Sequence, residues 1–338
     1  MTGSNVGSPS DTGVRLRDGI EIELGDGTTI VADGTRSAGD IALLSHAHGD
    51  HLYDDPPESV VCSALTAALA EARREEGGPL SRETVPEIDL RPAGHVAGSR
   101  AALITDPDTG VRYCYTGDIS TRDRFYLPGF EPPDADVLIL ETTYGSPEYV
   151  FPNQSEIEAE IVEWLGETMD RPVLLFGYSL GRAQELQLLA RRADRSRVLV
   201  SKAITRINSV IEDHLDVSFD AERSGPETNL EAGDTLVLPT RTNNLAFVDS
   251  IIEATGALKA GFSGWAIDSA FRYRGGYDAT FPLSDHPDFT ELVGVVEAVD
   301  PELVYTHHGF AEEFATHLTG LGYESRALKA NQTALGEF

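Results

Sequence analysis

Lysine is almost missing from this chain. Lys202, Lys259 and Lys329 are the only ones among 338 residues, and arginine supplies the other basic side chains. Acidic residues outnumber basic ones 56 to 26, a formal net charge of −30. A surface that acidic repels polyanions at low salt. Cysteine is scarce as well. Cys62 and Cys114 lie in apolar, strand-like runs; they could form one disulfide, but buried free thiols in a reducing cytoplasm are the expected state, and two cysteines exclude a disulfide-dense scaffold. No run of 18 apolar residues occurs, so no membrane-spanning helix is expected. Residues 1–13 have neither a basic start nor an apolar centre; they read as a frayed tail, not a secretory signal. Against these absences stand 41% hydrophobic residues, enough for a sizeable core.

The first third reads as short strands, at 20–24, 28–32, 41–45, 101–105, 111–116 and 137–140, with one helix at 63–75. From Phe151 the rhythm changes to alternating helices and strands. Ser155 and Glu158 have the spacing of a capping box ahead of a helix. Strands at 173–178, 198–200, 235–238 and 260–262 interleave with helices at 182–192, 204–215 and about 247–254. That alternation predicts a mostly parallel sheet. Strands at 280–283 and 303–306 and helices at 289–299 and 311–318 complete the pattern.

Three of the nine histidines fall in the run Ser45-His46-Ala47-His48-Gly49-Asp50-His51, directly after an apolar strand. Imidazoles two residues apart can converge on one cation, and Asp50 with His51 is offset enough to serve a second. Zinc accepts both ligand types. Three similar islands follow: His95 in Ala93-Gly94-His95-Val96, Asp118 in Thr116-Gly117-Asp118-Ile119, and His308 in Thr306-His307-His308-Gly309. His214 and His317 fall on helical segments and read as ordinary histidines.

The order His46-Ala-His48-Gly-Asp50-His51, His95, Gly117-Asp118 resembles the metallo-β-lactamase fold. Glu141-Thr-Thr-Tyr144-Gly145, Gly177-Tyr-Ser179-Leu-Gly181-Arg182-Ala-Gln-Glu185, Ser284-Asp285-His286-Pro-Asp288 and Thr306-His-His308-Gly309 resemble, in that order, the motifs of the β-CASP nucleases. This family includes pre-mRNA 3′-end cleavage factors, ribonuclease J and Artemis-like repair nucleases. The resemblance implies an α/β chain: an αββα sandwich with an inserted β-CASP domain. The sandwich would occupy 16–145 and 276–338 and the insert 146–275, behind a disordered tail at 1–15. It implies two zinc ions. His46, His48 and His95 would hold one; Asp50, His51 and His308 the other; Asp118 would bridge, and Asp33 would orient the site. Asp50 also counts among the catalytic carboxylates. His286 would be the general acid, with Glu141 as the carboxylate that holds and charges its ring. The acid-rich, lysine-poor usage further resembles proteins of salt-loving archaea, whose near-molar salt shortens the Debye length to about 3 Å.

Ser179, Gly181 and Arg182 are expected to bind a substrate phosphate, since a strand-to-helix turn offers amides and a helix dipole and Arg182 can fork onto it. From Arg182 to Arg206 the chain carries Arg191, Arg192, Arg195, Arg197 and Lys202 against only Glu185 and Asp194, so this stretch reads as a backbone-contacting face. The expected partner is nucleic acid, RNA or DNA, gripped at a single-stranded end by a cytoplasmic enzyme that could be a homodimer. Two rivals share the motifs: a small-molecule hydrolase of the lactonase or glyoxalase type, and a non-catalytic binding module. The first has no need of an insert, and the second no need of every ligand type present here.

Overall fold

The computed structural model describes residues 13–36, 39–74 and 79–329. The expected tail lies outside them up to residue 12, while residues 13–15 already belong to the first strand. The chain forms β1 (Gly13–Leu16), β2 (Ile20–Glu23), β3 (Thr29–Ala32), β4 (Ile41–Leu43), α1 (Ala64–Arg73), β5 (Ile88–Pro92), β6 (Arg100–Thr105), β7 (Arg112–Tyr115) and β8 (Val137–Glu141). It continues with α2 (Gln154–Glu167), β9 (Val173–Gly177), α3 (Arg182–Arg192), β10 (Arg197–Val200), α4 (Lys202–His214), β11 (Glu222–Arg223), β12 (Asp234–Pro239), α5 (Ala246–Thr255), β13 (Leu258–Phe262), α6 (Ala270–Gly275) and β14 (Ala279–Phe281). Last come α7 (Phe289–Val299), β15 (Leu303–His307), α8 (Ala311–Leu321) and β16 (Ser325–Ala327). No helix among the described residues is long and apolar enough to cross a membrane.

Two compact units result. The first comprises the described residues up to Thr121, then 129–148 and the described residues from Pro287 onward; the second comprises 122–128 and 149–286. In the first unit one sheet runs β1-β2-β3-β4 and another β16-β15-β8-β7-β6-β5. The period-two pattern of β2 and β3 sends Ile20, Ile22, Ile30 and Ala32 into a core shared with Ile104, Tyr113, Tyr115, Val137, Ile139 and Tyr305 of the second sheet. The other face of that sheet carries Cys114, Leu138, Leu140 and Val304 against Leu292, Val295 and Val296 of α7 and Phe314 and Leu318 of α8. Strand β8 is thus buried on both faces, which is why it reads as an unbroken apolar run. Both cysteines are buried and free.

The second unit is built on a parallel sheet ordered β11-β10-β12-β9-β13-β14. Val173, Leu175, Val200 and Val237 face α2, α3 and α4 through Ile161, Leu186 and Ile204. Leu174, Phe176, Leu236 and Leu238 face Val248 of α5 and Tyr277. Helices on both faces make it doubly wound. The second unit extends to His286, beyond the expected return at 276, because β14 pairs with β13 from Ala260↔Ala279 to Phe262↔Phe281. The expected capping box at Ser155 does not form: Asn153 is the N-cap of α2, without a side-chain cap bond, and Ser155 already lies in the first turn. A capping box does form at α7, between Asp288 and Glu291.

Candidate metal centre

Strand directions gather the site. β7, β8 and β15 are mutually parallel, and β6 is antiparallel to both β5 and β7, so β5 runs with them. The C-terminal ends of β5, β7, β8 and β15 therefore lie on one sheet edge. His95, Asp118, Glu141 and His308 sit at or just past those ends, and the loop after β4 brings His46, His48 and His51.

Besides a group of Asp33, His46 and His51, two donor groups form in the first unit, each with all its ligand atoms within 4.8 Å of one another: His46, His48, His95 and Asp118 in one, and His51, Asp118 and His308 in the other. Asp118 belongs to both. Its Oδ2 lies 3.5 Å from His46 Nε2, 3.5 Å from His51 Nε2 and 3.7 Å from His95 Nε2. Nε2 of His46 and of His51 is buried with no hydrogen-bond partner among the described residues. A buried imidazole nitrogen ordinarily finds a partner, so these atoms fit a site built to hold a cation. The electrostatics of His46 agree. Burial, and next to it His51, holds His46 well below the usual histidine value, in the neutral form that ligates metal. Burial also opposes charge on His51, but Asp118 and Asp33 outweigh it and hold that ring well above the usual value.

Asp33 sits behind His51 and hydrogen-bonds its Nδ1. It adopts φ +51°, and its side chain is almost fully buried. Oδ1 accepts the Ser45 N–H at 2.7 Å; Oδ2 accepts the Ser45 hydroxyl, the His51 Nδ1–H at 2.9 Å and the Tyr115 hydroxyl at 2.8 Å. A partner on Nδ1 fixes the tautomer and aims Nε2 at the donor cluster. Ser45 Oγ also lies 2.9 Å from His46 Nδ1, so the serine that Asp33 holds steadies the His46 ring. At Gly117, φ is +54° and a Cβ would fall 2.6 Å from that of Ser45; only glycine lets the Asp118 loop come this close.

Glu141 is fully buried at the end of β8 and accepts N–H groups from Ile119 at 3.3 Å and Thr143 at 3.0 Å, so it pins the backbone beside Asp118. His308 has φ +61°, and the Thr142 hydroxyl donates to its carbonyl at 2.8 Å. His214 lies exposed on α4 with Nδ1 2.8 Å from the Val210 carbonyl oxygen; His317 packs edge-on against Phe289.

Some expectations are corrected. Asp50 enters neither donor group: it lies in a surface turn, its carboxylate 78% exposed and 4.0 Å from His51 Nε2. The phosphate cradle at 179–182 is already filled by the protein. Gly181 N–H donates to Gln184 Oε1 at 2.8 Å, Ala183 N–H to Tyr178 O, Gln184 N–H to Gly181 O, and the Ser179 carbonyl accepts the Gln184 amide. Arg182 is 2% exposed; it binds the Leu283 carbonyl, Asp285 Oδ1 at 2.7 Å and Glu185 Oε2 at 3.2 Å. It is a tie inside the second unit. Much of the basic stretch after it is also spent internally: Arg191 on Asp220, Arg192 on Glu158, Arg197 on Asp234, and Arg195 on four backbone carbonyls.

Two residues of the site carried no assigned role in the sequence reading. Tyr115 reaches Asp33 from the end of β7, and its ring stacks on His307 at 5.9 Å. His307 is buried beside His308 with neither ring nitrogen hydrogen-bonded, and burial pushes it down to about 3. An apolar strand ending directly before a ligand motif was the available sign for Tyr115.

Fold and site define a metallo-β-lactamase αββα sandwich with an inserted β-CASP α/β unit, carrying histidine and aspartate clusters that could bind metal. No family model matches the chain. It is 36% identical over 307 residues to a probable DNA ligase of Opitutus terrae, across 87% of this chain and 29% of that protein. It is 30% identical over 204 residues to an RNase J-like protein of Methanocaldococcus jannaschii, across 51% of this chain and 48% of that one. To transcription termination factor FttA of the same organism it is 29% identical over 192 residues, across 44% of this chain and 30% of that factor. The chain thus spans less than half the length of each. These relatives and the fold support the β-CASP branch of the metallo-β-lactamase proteins as its family.

Proposed function

We propose that the protein is a zinc-dependent nuclease that hydrolyses phosphodiester bonds, with RNA as substrate and two zinc ions per chain. The observation that carries this reading is the pair of donor groups sharing Asp118. His46, His48 and His95 would hold one ion, His51 and His308 the other, and Asp118 both. When bound, two zinc ions polarise the phosphate and acidify water to a nucleophile near neutral pH. The protein's own contribution is orientation: Asp33 fixes His51, Ser45 steadies His46, and Glu141 holds the Asp118 loop. From the motif resemblance, His286 would protonate the leaving oxygen, with Glu141 its orienting carboxylate.

RNA is favoured by the RNase J-like relative. A second reading, a DNA repair exonuclease, rests on the match to a probable DNA ligase across 87% of this chain. The acidic, lysine-poor surface fits work at high salt. Digestion of matched, end-labelled RNA and DNA in molar salt, with zinc and with chelator, tests both. Zinc-dependent cleavage is expected, and His286→Ala should slow it ~10²–10⁴-fold with zinc content unchanged. Rapid turnover of a lactone or a glutathione thioester, with both nucleic acids intact, would overturn the reading.

A further inference from the structure

Correcting the role of Arg182 leaves open how so acidic a chain would hold a polyanion. The second unit answers from its own topology. The strands of its sheet all point one way, so its two edges differ in which residues they present. The N-terminal edge presents exposed Asp170, Asp194, Glu231 and Asp278 before β9, β10, β12 and β14, with Asp170 paired to Arg171. The C-terminal edge presents cations, with exposed Glu222 beside the first of them. Arg223 ends β11, Lys202 follows β10 and Arg241 follows β12; all three are exposed, and none has a carboxylate within ion-pair distance among the described residues. The next strands in the sheet, β9 and β13, lead to two exposed aromatics, Tyr178 at 64% and Trp265 at 39%. Tyr149 braces the Trp265 ring edge-on, with centroids 5.0 Å apart. β14, last in the order, leads to His286.

Read across the sheet, the edge runs from cations to aromatics and then to His286. Strands about 4.8 Å apart make β11 to β13 a span of about 19 Å. Helices α3 and α5, which follow the neighbouring strands β9 and β12, cover opposite faces of the sheet. In doubly wound sheets ligands bind at such a reversal, outside the strands' C-terminal ends. Unpaired cations suit phosphates, and exposed aromatic faces stack on any base.

We propose that this edge is the track on which the protein holds single-stranded nucleic acid, with Arg223, Lys202 and Arg241 on the phosphates and Tyr178 and Trp265 stacked on bases. The inference rests on the nuclease reading and names the surface that serves it. The test is binding of short, cleavage-resistant phosphorothioate oligonucleotides, single-stranded RNA and DNA, to the zinc-loaded full chain across a salt series. The combined substitution Arg223→Glu, Lys202→Glu and Arg241→Glu should weaken binding at least tenfold. It should also flatten the plot of log affinity against log salt by about 2, at ~0.7 per lost single-strand contact. Tyr178→Ala with Trp265→Ala should weaken binding about tenfold or more and leave the salt slope unchanged. Zinc content and melting temperature should stay as in the unaltered protein, because all five side chains are exposed or half-exposed. Should the triple reversal unfold the chain, Arg241→Ala and Tyr178→Ala singly give the same two readouts. If the unaltered protein cleaves and binds while both sets of variants match it, the track is wrong and the nuclease reading stands. If the unaltered protein neither cleaves nor binds, both fall.

Discussion

The Nδ1 of His51 lies 2.9 Å from Oδ2 of Asp33, and the same oxygen receives the Tyr115 hydroxyl at 2.8 Å. Asp33 needs φ +51° to sit there, a left-handed backbone that Asp tolerates better than most residues. The consequence is a ring whose far nitrogen is buried, without a hydrogen-bond partner and turned toward Asp118.

If Asp33 aims His51, then Asp33→Ala should lower zinc affinity by about 10–100-fold, the usual effect of losing an outer hydrogen bond on a ligand. Tyr115→Phe should act in the same direction but more weakly. Competition against a coloured chelator measures both. Equal zinc affinity in Asp33→Ala and the unaltered protein would show that His51 is held by other contacts.

Arg182 belongs to a buried charge network: Arg182 with Asp285 and Glu185, and Glu185 with Arg124. Removing one member leaves charge buried without its partner. Arg182→Met should therefore cost about 3–5 kcal/mol of stability, read as a lower melting temperature. A phosphate fork on the surface would instead leave the melting temperature unchanged and raise KM.

Asp234 gives a pH dependence with a definite sign. Burial opposes its charge, but the Arg197 fork, at 3.0 and 2.5 Å, and the Glu231 amide outweigh that and hold the carboxyl below its usual value. A depressed carboxyl contributes stability above its unfolded value, near 3.9, and loses it as pH falls through the lower folded value. Asp234→Asn should thus melt lower than the unaltered protein at neutral pH, with the gap closing below about pH 4. A gap that stayed constant down to acid pH would assign the loss to packing and not to charge.

Much of the architecture was legible in residue order. Apolar runs within the expected strands 173–178 and 137–140 announced buried strands because both of their faces are covered. The helices at 182–192 and 289–299 kept their expected bounds. Two-residue spacing of His46 and His48 after β4 marked a ligand loop, since the chemistry is local to that segment. What residue order could not supply is which way a side chain turns and what already occupies it. Arg182 looked like a free fork until folding placed Asp285 and Leu283, a hundred residues on, against its guanidinium. Asp50 sits within the ligand run, yet a surface turn faces it outward. The cations and aromatics of the sheet edge are scattered from Tyr178 to Trp265 in sequence. They fall in one row only because parallel strands pair in the order β11-β10-β12-β9-β13. Sequence fixes local pattern through backbone periodicity and side-chain chemistry; long-range pairing, set by packing the whole chain, decides which of those groups are spent on one another and which remain for a ligand.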